Sequence, residues 1–236
     1  MPSPPVVLLP LTLPALLSSV LTSHISPVPT TLIICSSRES FLQALVRSLQ
    51  QHNEDTDVLE RLLMPTLHNL SSARHVNLGF CTSVQALTAY FTAYVGAKAA
   101  EDGQEEKETL MLVNPLSLHA PTPSFSAQGL SKTFATAVET AQRVDARLVM
   151  VECLGMQRDI HYPDEDEDLR AALEEATSSP APTNEDPWEQ EVPILNVSAR
   201  RFGHGTGERA WAGRTVKVKR IAARWFKFQK ARSEMG

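Results

Sequence analysis

The sequence predicts an α/β domain, with a mostly parallel central sheet flanked by helices. Three observations predict it. First, Thr109 to Cys153 reads as strand, helix, strand. The apolar runs TLMLV (Thr109–Val113) and ARLVMVEC (Ala146–Cys153) flank QGLSKTFATAVETAQRV, where Leu130, Phe134, Ala137, Val138, Ala141 and Val144 recur at helical spacing. Such a unit is the crossover of a parallel sheet. Second, two more strand-then-helix pairs precede it. Third, 236 residues, 42% hydrophobic and 21% charged, suffice for one large domain with a full core.

The N-terminal stretch Val6–Leu21 is apolar, but Pro10 and Pro14 interrupt it and no Lys or Arg occurs before Arg38. It lacks the basic start of a secretory signal and the roughly 20 unbroken apolar residues of a membrane span. Residues 1–29 are therefore expected to pack on the core or dock on a partner, with no membrane involved. The domain proper is expected to run over 30–229. Thr30–Cys35 (TTLIIC) predicts a buried strand. Ser36 and Ser37 lead into a helix whose apolar stripe is Phe41, Leu42, Leu45, Val46 and Leu49. Leu62–Leu67, with Pro65, reads as an edge strand or an irregular apolar piece. His75–Cys81 predicts a strand. Ser83 to Val95 predicts a helix with Val84, Leu87, Tyr90, Phe91 and Tyr94 on one side, and Glu101–Glu108 an acidic loop.

After Cys153 the composition shifts. Leu154–Glu191 carries twelve acidic residues against two arginines, and is expected to be a mobile acidic insert with a short helix around Leu169–Ala176. Val192–Asn196 predicts a strand. Arg214–Ile221 and Arg224–Gln229 predict a closing β-hairpin, followed by a tail over 230–236. From Arg200 onward there are eleven Lys or Arg and two Glu, a net of +9, against −14 for the rest of the chain. Arg214, Lys217, Lys219, Arg220, Arg224, Lys227 and Lys230 interleave with Trp211, Trp225, Phe226 and Phe228, a combination suited to phosphate contact and base stacking. A second reading stays open: strand alternation turns Val216 and Val218 inward and Lys217 and Lys219 toward water or acidic partners, with the aromatics capping the sheet.

Other patterns carry less. Cys35, Cys81 and Cys153 lie far apart in apolar surroundings with no CxxC pair, as buried reduced thiols do, which suits nucleus or cytoplasm. The seven histidines form no ligand spacing, so no metal is expected. Ser36, Ser37 and Ser40 have no nominated His–Asp partner, and an N-cap role fits Ser36 or Ser37 better. Gly203, Gly205 and Gly207 lack the strand-to-helix setting of a dinucleotide fingerprint. The Asn196 sequon matters only in a secreted chain.

This order of pieces resembles the core of the RecA-like recombinases, and especially the paralogues of the eukaryotic strand-exchange proteins. On order and spacing the resemblance covers most of 30–229. The first strand and helix would fall at the phosphate-binding loop, TLMLVN at the Walker B strand, and Ser126, Gly129, Leu130 and the long helix at the next elements. ARLVMVEC matches the following strand, the acidic insert the second DNA-binding loop, and VPILN with the hairpin the closing strands.

The departures from that family are as informative. A phosphate loop needs glycines, a Lys and a Ser/Thr. There is no glycine before Gly79, and the matching turn reads CSSRES, leaving Ser36, Ser37, Arg38 and Ser40 at degenerate positions. Asn114 stands at the Walker B position, without the charge that favours a magnesium shell. Glu152, at the end of a neighbouring strand, could serve as a base but has no nucleotide to act on. The resemblance therefore implies a degenerate paralogue of the kind found in the Shu complex or paired with SWIM-domain proteins: no cofactor and no catalysis. Its expected partners are another RecA-like or SWIM-domain subunit, a recombinase and DNA. The alternative is a structural RecA-fold subunit of the Elongator tRNA-modification complex, which also lacks ATPase motifs.

Overall fold

The computed structural model describes residues 4–22, 28–51, 64, 66–96, 107–156, 186–195 and 214–230. Its centre is a six-stranded, all-parallel sheet in the order β3-β2-β4-β5-β1-β8. The strands are β1 (Val6–Thr12), β2 (Thr30–Ile34), β3 (Val76–Phe80), β4 (Thr109–Val113), β5 (Arg147–Leu154) and β8 (Lys227–Gln229). The helices are α1 (Leu13–Thr22), α2 (Arg38–Gln51), α3 (Leu67–Ala73), α4 (Val84–Ala93), α5 (Pro115–His119), α6 (Ala127–Arg143) and α7 (Val218–Ala222). A separate antiparallel ribbon pairs β6 (Glu191–Pro193) with β7 (Thr215–Lys217).

Strand alternation divides the core into two layers. On one face Leu32, Ile34, Met111, Val113, Val149, Val151 and Cys153 pack against Leu13 and Leu16 of α1 and Phe41 and Ala44 of α2. On the other, Ile33, Leu110, Leu112, Leu148 and Met150 meet Leu87 and Phe91 of α4 and Leu130, Phe134 and Ala137 of α6. Each fully buried side chain of this size contributes about 1.5–3 kcal/mol relative to exposure. The strand–helix–strand unit predicted at Thr109–Cys153 is therefore the middle of the sheet. Cys35, Cys81 and Cys153 are buried and unbridged. No described helix is long and apolar enough to cross a membrane.

Helix starts follow their caps. Thr66 accepts from the Asn69 N–H at 3.1 Å, Ser83 from Ala86 at 3.1 Å and Ser126 from Gly129 at 3.1 Å. Gly129 is required where it stands: a Cβ there would lie 2.1 Å from the Ser124 carbonyl oxygen.

Four expectations need correction. The described part of 1–29 belongs to the domain and is not a separate docking segment: it packs on the core, because β1 is an interior strand, paired to β5 on one side and β8 on the other, with Val7 fully buried. Pro10 is tolerated because the β1–β5 register slips between Leu8 and Leu11. The closing hairpin does not form: β7 joins β6, Val218 starts a helix, and β8 runs parallel to β1 at the edge of the main sheet. Leu67 opens α3 instead of ending an edge strand, while 62, 63 and 65 lie outside the described residues. The ends of the acidic insert are packed, with Met156 and Trp188 buried; 157–185, including the expected Leu169–Ala176 helix, lie outside the described residues. So do Asn196, Gly203, Gly205, Gly207, Trp211, most of the acidic loop and the tail beyond Lys230.

Candidate functional site

Open α/β sheets bind ligands outside the carboxyl ends of their strands, where neighbouring strands send the chain to opposite faces. Here that point lies between β2, which leads to α2 on one face, and β4, which leads through α5 to the other. Cys35, Ser36, Ser40, Asn114, Ser117 and Met156 gather there. Three of the degenerate positions read from sequence therefore do come together. The cavity between them is about 10 Å³, room for about one water.

The polar groups in this crevice serve the backbone. Ser37 Oγ accepts from the Ser40 N–H at 3.0 Å and donates to Ser40 Oγ at 2.9 Å, so Ser37 starts α2. Ser36 Oγ donates to the Ser37 carbonyl at 3.2 Å. Arg38 is exposed on the first turn of α2 and does not line the cavity. Asn114 is 1% exposed and left-handed, at φ 57° and ψ 45°, a conformation asparagine adopts more readily than most residues. Its Oδ1 accepts from the Cys153 N–H at 2.8 Å, its Nδ2 faces the Cys153 carbonyl at 3.4 Å, and its own N–H donates to Val151 at 2.9 Å. The side-chain amide thus acts as one more peptide rung between β4 and β5. A carboxylate at this position would lack the donor.

Glu152 projects from β5 to the opposite face from Cys153. It is 2% exposed, accepts from the Leu116 N–H at 2.6 Å and sits 3.4 Å from Ser117 Oγ. Burial pushes its carboxyl up to about 8, against the lowering effect of these hydrogen bonds. It caps the first turn of α5, a task the sequence did not reveal. His119, at the end of α5, is fully buried between the Ser124 carbonyl (3.2 Å) and Thr133 Oγ1 (2.9 Å), and burial lowers it to about 4. Among the described residues no group of three His, Cys, Asp or Glu could hold a metal ion.

The phosphate-loop assignment shifts as well. It rested on the first strand and helix of the sheet, and these are β1 and α1 rather than β2 and α2. The helix begins at Leu13 directly after the strand ends at Thr12, so no loop intervenes. The turn, Leu11 to Pro14, carries no glycine and no cation. Thr12 Oγ1 accepts from the Ala15 N–H at 3.3 Å, a cap in place of a cradle.

The basic C-terminal positions are distributed over three elements. Arg214 and Lys217 lie at the ribbon, Lys219 and Arg220 on α7, Arg224 just after α7, and Lys227 and Lys230 at the sheet edge. Arg214, Lys217, Arg220, Arg224, Lys227 and Lys230 are exposed. Lys217 and Lys219 both donate to Glu189, at 2.9 Å to Oε2 and 2.8 Å to Oε1. The hydrogen bond from Lys219, then that from Lys217, holds the Glu189 carboxyl down at about 2. The acid-paired reading of these two lysines is therefore the observed one. The aromatics pack inward: Phe226 meets Phe134 edge-on at 5.7 Å, and Phe228 meets the fully buried Trp188 at 5.4 Å. That correction removes Phe226 from any stacking platform.

At the opposite end of the sheet is a cluster to which no motif pointed. Thr31 Oγ1 donates to Glu108 Oε1 at 2.8 Å, and the Tyr94 hydroxyl donates to the same oxygen. Burial, then the hydrogen bond to Glu108, raises the Tyr94 hydroxyl above its ordinary value. The cluster ties β2 to the end of α4 and the start of β4. Glu189 was missed too, although a Pro-Trp pair inside an acidic stretch signals an anchored point. In comparisons with known proteins, no family model matches this chain and no curated protein matches its sequence.

Proposed function

We propose that this chain is a non-catalytic RecA-fold subunit that assists homologous recombination and DNA repair through protein assembly and DNA contact. Its DNA-contacting surface is the basic C-terminal one, and its partners are another RecA-like or SWIM-domain subunit and a recombinase. The observation that carries the reading is the closed crevice. The crevice between β2 and β4 has room for about one water, its Ser36 and Asn114 side chains are engaged with backbone, and the β1–α1 turn carries neither glycine nor cation. A parallel sheet with its ligand position filled is left with its surfaces as the means of action. On one of them Arg214, Lys217, Arg220, Arg224, Lys227 and Lys230 face water.

Affinity purification of the tagged chain from its own cells, read by mass spectrometry, tests the assembly. A SWIM-domain protein or a recombinase is the expected companion. Elongator subunits in its place would overturn the recombination assignment and point to tRNA. Replacing Lys217, Lys219, Arg220 and Lys227 with Glu should abolish binding of a labelled single-stranded oligonucleotide; unchanged binding would remove the basic surface from the account.

A further inference from the structure

We propose that Glu189 occupies the seat of a nucleic-acid phosphate between Lys217 and Lys219, and that this internal competitor sets the chain's affinity for polyanions. The inference rests on the nucleic-acid part of the reading above. Its warrant is how firmly Glu189 is held. Exposed ion pairs are ordinarily mobile and contribute little. Here the neighbouring residue, Trp188, is fully buried against Phe228, and the Asp186 carboxylate accepts from the Trp188 N–H at 3.1 Å. The Val218 N–H donates to the Gln190 carbonyl at 2.9 Å, fastening the start of α7 to the same turn. The carboxylate is thus placed by the core, with one oxygen on each ammonium.

Both lysines remain reachable from solvent. Their side chains are 56% and 44% exposed, and that of Glu189 is 40% exposed. Lys219 also lies 5.8 Å over the Phe228 ring, which fixes its stem. Two ammonium groups converging on one oxyanion is the geometry that a backbone phosphate needs. A phosphate entering this seat must displace Glu189. The acidic residues Asp186 and Glu191 on the same short stretch oppose it as well, and Glu191 already accepts from Thr215 Oγ1 at 2.6 Å. Binding is accordingly weak until the carboxylate is neutralised or moved by a partner.

The test compares the full-length wild type, E189Q, K217Q/K219Q and the triple variant by fluorescence anisotropy with a labelled oligo-dT at several salt concentrations. Wild type should bind, and E189Q should bind roughly fivefold to tenfold more tightly at low salt, with a steeper salt dependence by about one phosphate. The gain should vanish in the triple variant. Thermal unfolding of E189Q, expected to match wild type, verifies that the fold is intact. If E189Q binds like wild type while K217Q/K219Q weakens binding, the competitor role is overturned and the nucleic-acid surface stands. If no protein in the set binds, both fail.

Discussion

The crevice between β2 and β4 and the ribbon beside α7 are both polar, and they handle polarity in opposite ways. In and beside the crevice, Asn114 and Ser36, with Glu152 and Ser37 behind them, turn hydrogen-bonding groups onto neighbouring backbone, and the remaining space holds about one water. At the ribbon, Lys217, Lys219 and Glu189 bond to one another at a surface that water and macromolecules reach. A buried polar group that is fully satisfied by its own chain has nothing left to offer a ligand, whereas an exposed ion pair can exchange partners. The contrast favours the charged surface over the strand ends as the first place to test for a ligand.

The contrast can be broken from either side. The largest effect is expected at the anchor of the ribbon. Trp188→Ala removes a fully buried indole and should cost about 3–5 kcal/mol in urea unfolding. It should also loosen the Glu189 pairing, seen as line broadening of the Lys217 and Lys219 side-chain signals; a loss below about 1 kcal/mol would mean that the ribbon is not anchored by the core. Next comes Asn114→Asp, which supplies the carboxylate that a magnesium site would want. Because the Cys153 carbonyl then loses its donor and a charge is buried, the variant should be about 1–3 kcal/mol less stable and gain no nucleotide binding. Stability equal to wild type would show that the amide is not a structural rung.

Glu152 provides a subtler probe through pH. Its folded value of about 8 stands above the ordinary 4.5, so between those limits the folded chain keeps a proton that the unfolded chain has released. Its contribution to stability is complete below pH 4.5 and is lost as pH rises toward 8. His119 works the other way: lowered from 6.5 to about 4, it reduces stability as pH falls through that window. The interval from pH 6.5 to 8 therefore isolates Glu152 from His119. Urea midpoints should decline across it in wild type, and the decline should flatten in Glu152→Gln, which still accepts from Leu116. Equal slopes in the two proteins would place the carboxyl in a wetter setting than its 2% exposure indicates. The smallest effect is expected at the exposed Thr215–Glu191 contact, where Thr215→Ala should change stability by less than about 0.5 kcal/mol.

The middle of the sheet was legible because its residues fit only one period. TLMLV and ARLVMVEC are too short and too apolar for helices, and Leu130, Phe134, Ala137, Val138 and Ala141 all land on the buried side of α6. The C-terminus was ambiguous for a physical reason. Val216 and Val218 alternate as a strand requires, yet Val218, Ile221 and Ala222 are also spaced as one face of a helix, and all three are buried. Local pattern could not decide, and tertiary context did: Phe228 seats on Trp188 while β8 takes the open edge of β1. β1 itself was hidden by Pro10, which is compatible with an interior strand only because a register slip accommodates it. At the site, the sequence brought attention to Ser36, Ser37, Ser40 and Asn114, and three of these line one cavity. It could not show that Asn114 bridges to Cys153 or that Glu189 reaches two lysines, since both depend on partners 39, 28 and 30 residues away.

The most direct test of the account is a thermal unfolding series on the full chain with rising Mg–ATP and Mg–ADP. A closed crevice predicts an unchanged midpoint up to millimolar nucleotide. A saturating rise of about 5–10 °C, the size expected for a ligand at a hundred times its dissociation constant, would show that the folded chain holds nucleotide and would contradict the reading of a sheet with no nucleotide site.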